Sequence, residues 1–315
     1  MRATAPIRVQ TSSARDPRTS TPPDPAGLPP GPLTTAELAA TVPDPRDRGR
    51  YVRIWHGHYR RDDQVDDLRL RSVALARSWP EGVLRGRSAA LLWGDDSAPA
   101  DAPPEIWLPA TRRSRAGRVY RYGAMPPAAV TELGGIRVTT PLRTCRDLAG
   151  DLDPEDAVVA VERLCAANPG LAGVLAAAAG HPSGRGARRF AEVVAAVEPR
   201  SVSAETTRAR LRLAAAGFGG FREGVRIRIA GRAVPLPLAD PALRCAVAFP
   251  GRSLTPSIGP ATRGSSPAGA LGAERYRAAL RRAGWTVIDV RGPAAPGRAT
   301  HPAGRRRSRA AHPDL

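Results

Sequence analysis

The chain has 315 residues, enough for two domains of ordinary size. It carries 48 basic residues against 29 acidic ones, a net charge of +19, and every basic residue is Arg. No apolar run reaches the roughly 18 residues that a membrane-spanning helix needs, and Leu171 to Gly180 is too short, so the expectation is a chain outside the membrane. The three cysteines, Cys145, Cys165 and Cys245, are far apart and odd in number. They support neither a zinc knuckle nor a disulfide framework and point to a reducing, cytoplasmic compartment. Arg binds phosphate bidentately and stacks on bases, so nucleic acid is the natural partner of such a surface. A GC-rich genome accounts for Arg in place of Lys but not for the excess of cations over acids.

Residues 1–32 are rich in Pro, Ser, Thr and Arg and are expected to be disordered. Residues 33–61 read as a small wing-like unit. Thr35-Ala-Glu-Leu-Ala-Ala makes one short helix with Thr34 or Thr35 as N-cap. Tyr51 to Tyr59 alternates and turns at Gly57, as a hairpin does. Between them, Pro43 and Pro45 forbid a continued helix. A winged helix needs a reader helix before its wing, so that reader is expected to be missing. His56 and His58 would share one strand face, as metal ligands can; without a third ligand of matching spacing, a wing position near phosphate or solvent is expected.

Residues 62–200 follow as an α/β region. Asp67 to Trp79 has the spacing of an amphipathic helix, and Gly86 to Gly94 that of a helix with Ser88 at its start. Glu105 to Leu108 and Arg118 to Tyr122 read as strands. Val138-Thr139 runs into a helix with Thr140 as N-cap and Pro141 at its first position. Arg143 and Asp147 are four apart on that helix, which suits an ion pair. Pro154 to Ala166, Leu171 to Ala179 and Arg185 to Val197 supply further helices. The ordered set of Tyr51-x-Arg53 with Gly57-x-Tyr59, then Gly86-x-Ser88-Ala-Ala, then Val138-Thr139-x-Pro141-x-Arg143-Thr144 to Asp147-Leu148 resembles the AbiEi-type antitoxins of type IV toxin–antitoxin systems. That resemblance implies a promoter-binding regulator, with a cognate toxin as a further partner.

Residues 201–292 carry the pattern with the most chemical content. A helix opens Ser203-Ala-Glu205-Thr206-Thr207-Arg208-Ala-Arg210. Two strands follow, Val234 to Asp240 and Cys245 to Phe249, and Trp285 to Val290 closes the sheet after Arg281-Arg282. This resembles the very-short-patch-repair-like branch of the PD-(D/E)XK, or restriction-endonuclease-like, fold. The resemblance places the family's catalytic acids on Thr206, Pro237 and Ala248, with a last one on Pro250. Thr, Pro and Ala cannot supply the hard oxygen ligands that Mg²⁺ needs. Three acids remain near the motifs, Glu205, Glu223 and Asp240. Glu205 is turned by ~100° around the helix from the expected position. Asp240, three residues beyond Pro237, should face the other side of the sheet. Pro235 and Pro237 suit an edge or frayed strand.

The expected class is therefore α/β: a vestigial winged-helix-like unit, an antitoxin-like α/β region and a mixed sheet with flanking helices. Residues 252–272 read as a disordered insert and 293–315 as a disordered Arg-rich tail. Arg305, Arg306 and Arg307 in that tail are either a phosphate-binding cluster or a solvated end. Arg208 and Arg212 share a helical face that suits phosphate as well as it suits packing or solvent. No phosphate loop, Gly-x-Gly-x-x-Gly strand end or Gly-x-Ser-x-Gly elbow occurs, so no cofactor is implied. Three functions stay open: a non-enzymatic DNA-associated regulator or antitoxin-like component, an Mg²⁺-dependent endonuclease with displaced acids Glu205 and Asp240, and a decayed relative without a specific role.

Overall fold

The computed structural model describes residues 28–113, 115–181, 183–184, 186–198, 201, 203–229, 231–249 and 267–289. The expectations for residues 1–27, for most of the 252–272 insert and for the tail with Arg305, Arg306 and Arg307 lie outside these residues. The described chain is α/β, as its composition of alternating patterns predicts. It divides into two compact units, residues 1–92 with 98–144, and residues 93–97 with 145–315.

The first unit holds two sheets. Strand β1 (Leu33–Thr34) leads into α1 (Thr35–Thr41), the one-turn α2 (Pro45–Arg48), β2 (Tyr51–Trp55) and β3 (His58–Arg61). Thr34 caps α1 in a reciprocal box with Glu37. Asp44 caps α2, with Pro45 at its first position. The hairpin turns at Gly57, where φ is +80°, a backbone region that favours glycine. Strand order is β1-β3-β2. Leu38, Val42 and Tyr51 form the core of this piece with Leu28, Leu33 and Tyr59. Residues 28–32 are thus not part of a disordered arm. The Tyr51 hydroxyl donates to Pro29 O at 2.6 Å and Gln64 exchanges two hydrogen bonds with Gly31, because an apolar Leu28 and a run of free backbone groups meet partners on β2 and β3.

The five-stranded sheet has the order β6-β5-β4-β8-β7. It comprises β4 (Val83–Leu84), β5 (Glu105–Leu108), β6 (Val119–Tyr122), β7 (Val130–Leu133) and β8 (Ile136–Thr139). Helix α3 (Leu68–Ser78), capped by Asp67, and α4 (Gly86–Leu92) pack on it. Ser88 is not the cap expected from sequence. It lies fully buried inside α4, shares a hydrogen bond with Ser72 and accepts from Glu105 N. The turn into α4 starts earlier, at Gly86, whose φ is +50°. The Glu105 carboxylate folds over that turn, accepting from Arg87 N and pairing with buried Arg85 at 3.0 Å.

The second unit begins within α5 (Pro141–Asp151) and continues through α6 (Pro154–Ala167), α7 (Leu171–Gly180), α8 (Ala187–Ala196) and α9 (Ala204–Ala215). Strands β9 (Arg222–Ile229), β10 (Arg232–Asp240) and β11 (Cys245–Ala248), helix α10 (Pro267–Arg282) and β12 (Thr286–Asp289) complete it. Sheet order is β12-β11-β10-β9, antiparallel except for the β11–β12 pair. Helix α6 packs on both α8 and α9. The division between the two compact units falls between Thr144 and Cys145, and α6 to α9 group with this sheet. Residues 267–272, expected within the disordered insert, form the first turns of α10. Pro267 suits the first helical position and the alanines that follow are strong helix formers.

One side of this sheet buries Phe221, Leu238, Cys245, Val247 and Phe249 with Ala209 and Leu213 of α9. The other buries Leu236, Ala239, Ala246 and Leu280 with Tyr276 of α10 and Val225. Leu236 and Leu238 belong to different clusters, so the alternation resets at Pro237 and its neighbour Gly224, where φ is +64°. Strand β10 is an inner strand, contrary to the edge position its prolines suggest. Its residues Leu238 and Ala239 pair on both sides, while Pro235 and Leu236 pair with β9 alone among the described residues. The proline nitrogens therefore meet no ladder that needs them.

Gly86 gives a direct check of the first unit. A Cβ there would lie 2.3 Å from Glu105 Oε2, in a backbone conformation that side chains avoid. Gly86→Ala is expected to cost at least ~1–3 kcal/mol in a urea titration. An unchanged midpoint would show that the Glu105 fold-over is not fixed.

Candidate functional site

The second unit is built around one buried guanidinium. Arg210 projects from α9 with its side chain 9% exposed, toward Glu162 of α6 and Glu223 of β9, both fully buried. Arg210 Nη2 donates to Glu162 Oε1 at 2.5 Å and to Ala196 O at 3.1 Å. Arg210 Nε donates to Glu223 Oε1 at 3.1 Å and lies 3.9 Å from Glu198. The remaining carboxylate oxygens are also taken. Thr207 donates to Glu162 Oε2, and Thr206 and Ser201 donate to Glu223 Oε2 at 2.6 and 3.1 Å. The Glu198 N–H binds Glu162 Oε1 at 2.8 Å. Helices α6 and α9, strand β9 and the segment after α8 are thereby tied to one another.

Local sequence explains the placement. Ser203 caps α9, and Thr206 closes the capping box that Glu or Gln usually closes. Thr206, Thr207 and Arg210 then recur at three- and four-residue spacing on one helical face. Asp153, Pro154, Glu155 and Asp156 start α6 with the acids in its positive first turn, and Glu162 follows two turns later among Val158, Val159, Val161 and Cys165. Burial pushes the Glu162 carboxyl above its ordinary value, and the Glu198 N–H, the Thr207 hydroxyl and Arg210 pull it down by less. Removing one partner of such a buried pair costs ~3–5 kcal/mol, because the other charge is left in a medium that cannot solvate it.

The three positions that the resemblance assigns to catalytic acids do not come together. Thr206 faces β9 and Glu223. Ala248 alternates with Val247 and Phe249, whose side chains meet α9, and so lies on the opposite side of the sheet. Pro237 sits at the reset of the alternation between those two sides. Glu205 is exposed on α9. Asp240 is buried at the end of β10, where its Oδ1 accepts from Ala242 N and Leu243 N and its carboxylate fills the space above Gly220. It lies on the α9 side with Leu238, two residues before it in the strand. No group of three His, Cys, Asp or Glu side chains suited to a metal occurs among the described residues.

Arg208 and Arg212 share a face, as their spacing predicts, and that face meets acids. Arg208 pairs with Asp156 at 3.0 Å and Glu155 at 3.5 Å, and Arg212 grips Glu155 through Nε and Nη2 at 3.1 and 2.9 Å. His56 and His58 do not share a strand: His56 is in the turn, while His58 is buried in β3 beside Trp55 and Ser78. Desolvation holds the His58 pKa below its ordinary value. Arg143 stacks over Trp107, its guanidinium 5.1 Å from the ring centroid. Glu162 and Glu198 were not legible as site residues. The one available signal was an acid inside the apolar face of α6.

Two concavities flank the cluster. A cavity of about 330 Å³ is lined by Glu198, Arg210, Phe218, Phe221 and Arg222. An open groove of about 950 Å³ runs past Val158, Val193, Leu211, Arg188 and Arg212. No family model matches the chain, and no curated protein matches it in sequence.

Thr206→Glu restores the acid of the nuclease pattern and tests the cluster. It sets a carboxylate against fully buried Glu223 with no free donor, so a loss of ~3–5 kcal/mol is expected in urea. Thr206→Ser keeps the hydroxyl and should stay within ~1 kcal/mol of wild type. Equal stability of Thr206→Glu and wild type would contradict the closed arrangement.

Proposed function

We propose that this chain is a non-enzymatic, DNA-associated protein, a regulator or antitoxin-like component that uses a catalytically silent nuclease-like fold as a scaffold. The order α9-β9-β10-β11-α10-β12, with three antiparallel strands and a parallel fourth, supports a relation to the repair-nuclease fold. The observation that carries the silent reading is the occupancy of Glu162 and Glu223. Each of their oxygens already accepts from Arg210, a hydroxyl or a backbone N–H. The guanidinium of Arg210 neutralises this pair of acids, which supports a cluster closed to a cation. The net charge of +19 supports association with the phosphate backbone.

Purified protein is expected to leave supercoiled plasmid intact in Mg²⁺ or Mn²⁺. It is expected to bind duplex DNA with Kd on the order of 10⁻⁴–10⁻⁶ M near physiological salt, with little sequence preference and an affinity that falls steeply as salt rises. Cleavage that Glu205→Ala or Asp240→Ala abolishes would overturn the silent reading in favour of an endonuclease with displaced acids. Absence of duplex binding at low salt would overturn DNA association.

A further inference from the structure

The β9–β10 hairpin extends past its neighbour. Among the described residues, β11 pairs on β10 only with Leu238 to Asp240, whereas β9 and β10 stay paired from Leu236 out to the Ile229–Arg232 end. At ~3.3 Å per residue, the five residues 232–236 carry a two-stranded ribbon ~16 Å long beyond the paired part of β11. One side of this ribbon is committed. Val225, Ile227, Ile229 and Val234 pack with the cluster of Leu236 and Leu280.

The opposite side carries Arg226 and Arg228. Both are exposed, and neither has an ion-pair partner among the described residues. Their cross-strand neighbours are Pro235 and Ala233, which bring neither charge nor bulk. This contrasts with Arg208, Arg210 and Arg212, each already paired with acids. The acids of β9 and β10 are Glu223 and Asp240, both buried and engaged at the far end of the strands. Arg226 and Arg228 stand two residues apart, ~6.6 Å along one edge strand, and a guanidinium can grip an oxyanion bidentately.

We infer that the projecting end of the β9–β10 hairpin is the DNA-contacting element, with Arg226 and Arg228 on the phosphates of a duplex. The inference rests on the DNA-associated reading and locates its contact surface. A two-stranded ribbon fits the ~12 Å width of the major groove, and an arginine face opposite small residues can approach the backbone without obstruction. These contacts position the protein and carry no base readout.

The test uses the full chain, a duplex of about 20 base pairs and fluorescence anisotropy across a salt series. Each lost phosphate contact lowers the slope of log K against log[salt] by ~0.9, so Arg226→Gln with Arg228→Gln should flatten it by ~1.8. Arg226→Lys with Arg228→Lys keeps the charges and should retain the wild-type slope. Arg188→Gln with Arg281→Gln removes the same charge from other exposed positions and should leave the slope unchanged. All four positions are exposed, and circular dichroism of each variant confirms the fold. A wild-type protein that binds while the Gln pair at 226 and 228 leaves its slope unchanged overturns the hairpin and leaves DNA association standing. Equal flattening by the 188 and 281 pair also overturns the hairpin, since net charge alone would then act. A wild-type protein that binds no duplex, or that prefers RNA, overturns both.

Discussion

Arg210 is the side chain on which the second unit depends. Its guanidinium reaches α6, β9 and the end of α8 from a single position on α9. Glu162 and Glu223 are fully buried and would each be an isolated charge without it. The cluster is better described as a registry device than as a source of net stability, because desolvating three charged groups offsets much of their attraction. It fixes how α9 lies on the sheet. Packing of Ala209 and Leu213 against Phe221 and Leu238 supplies the apolar contribution.

That division of labour explains how the sheet holds together without acids at Thr206, Pro237 and Ala248. The sheet is held by two apolar clusters on its faces and by the closing of β12 beside β11, and none of these contacts uses Thr206, Pro237 or Ala248 as an ionisable group. Thr206 is the capping partner of Ser203. Its hydroxyl also donates to the buried Glu223 carboxylate.

Local signals in the sequence were sufficient wherever the physics is local. Thr34 caps α1, Gly57 turns the β2–β3 hairpin, Pro141 opens α5, and β10 and β11 lie where their apolar runs place them. The failures share one cause, which is that tertiary partners decided the outcome. Ser88 has the composition of a cap and is instead buried against Ser72. Leu28 to Pro32 read as part of a disordered arm, yet Tyr51 and Gln64 hold them. Pro235 and Pro237 read as edge-strand residues and lie where an inner strand lacks a second neighbour. The α9 end was legible as a helix opening at Ser203, but the sequence singled out Arg208 and Arg212 and gave Arg210 no role. Glu162, some 45 residues earlier, was not legible, since no spacing rule links it to α9.

The most direct measurement is a double-mutant cycle between Arg210 and Glu223 in urea, using Arg210→Met, Glu223→Gln and the double variant. A guanidinium that holds Glu223 in place predicts that Arg210→Met costs ~3–5 kcal/mol alone, and that its cost falls by at least ~1 kcal/mol once Glu223 is neutral. Strictly additive effects would contradict the account, for they would mean that Arg210 is not the partner that holds this acid.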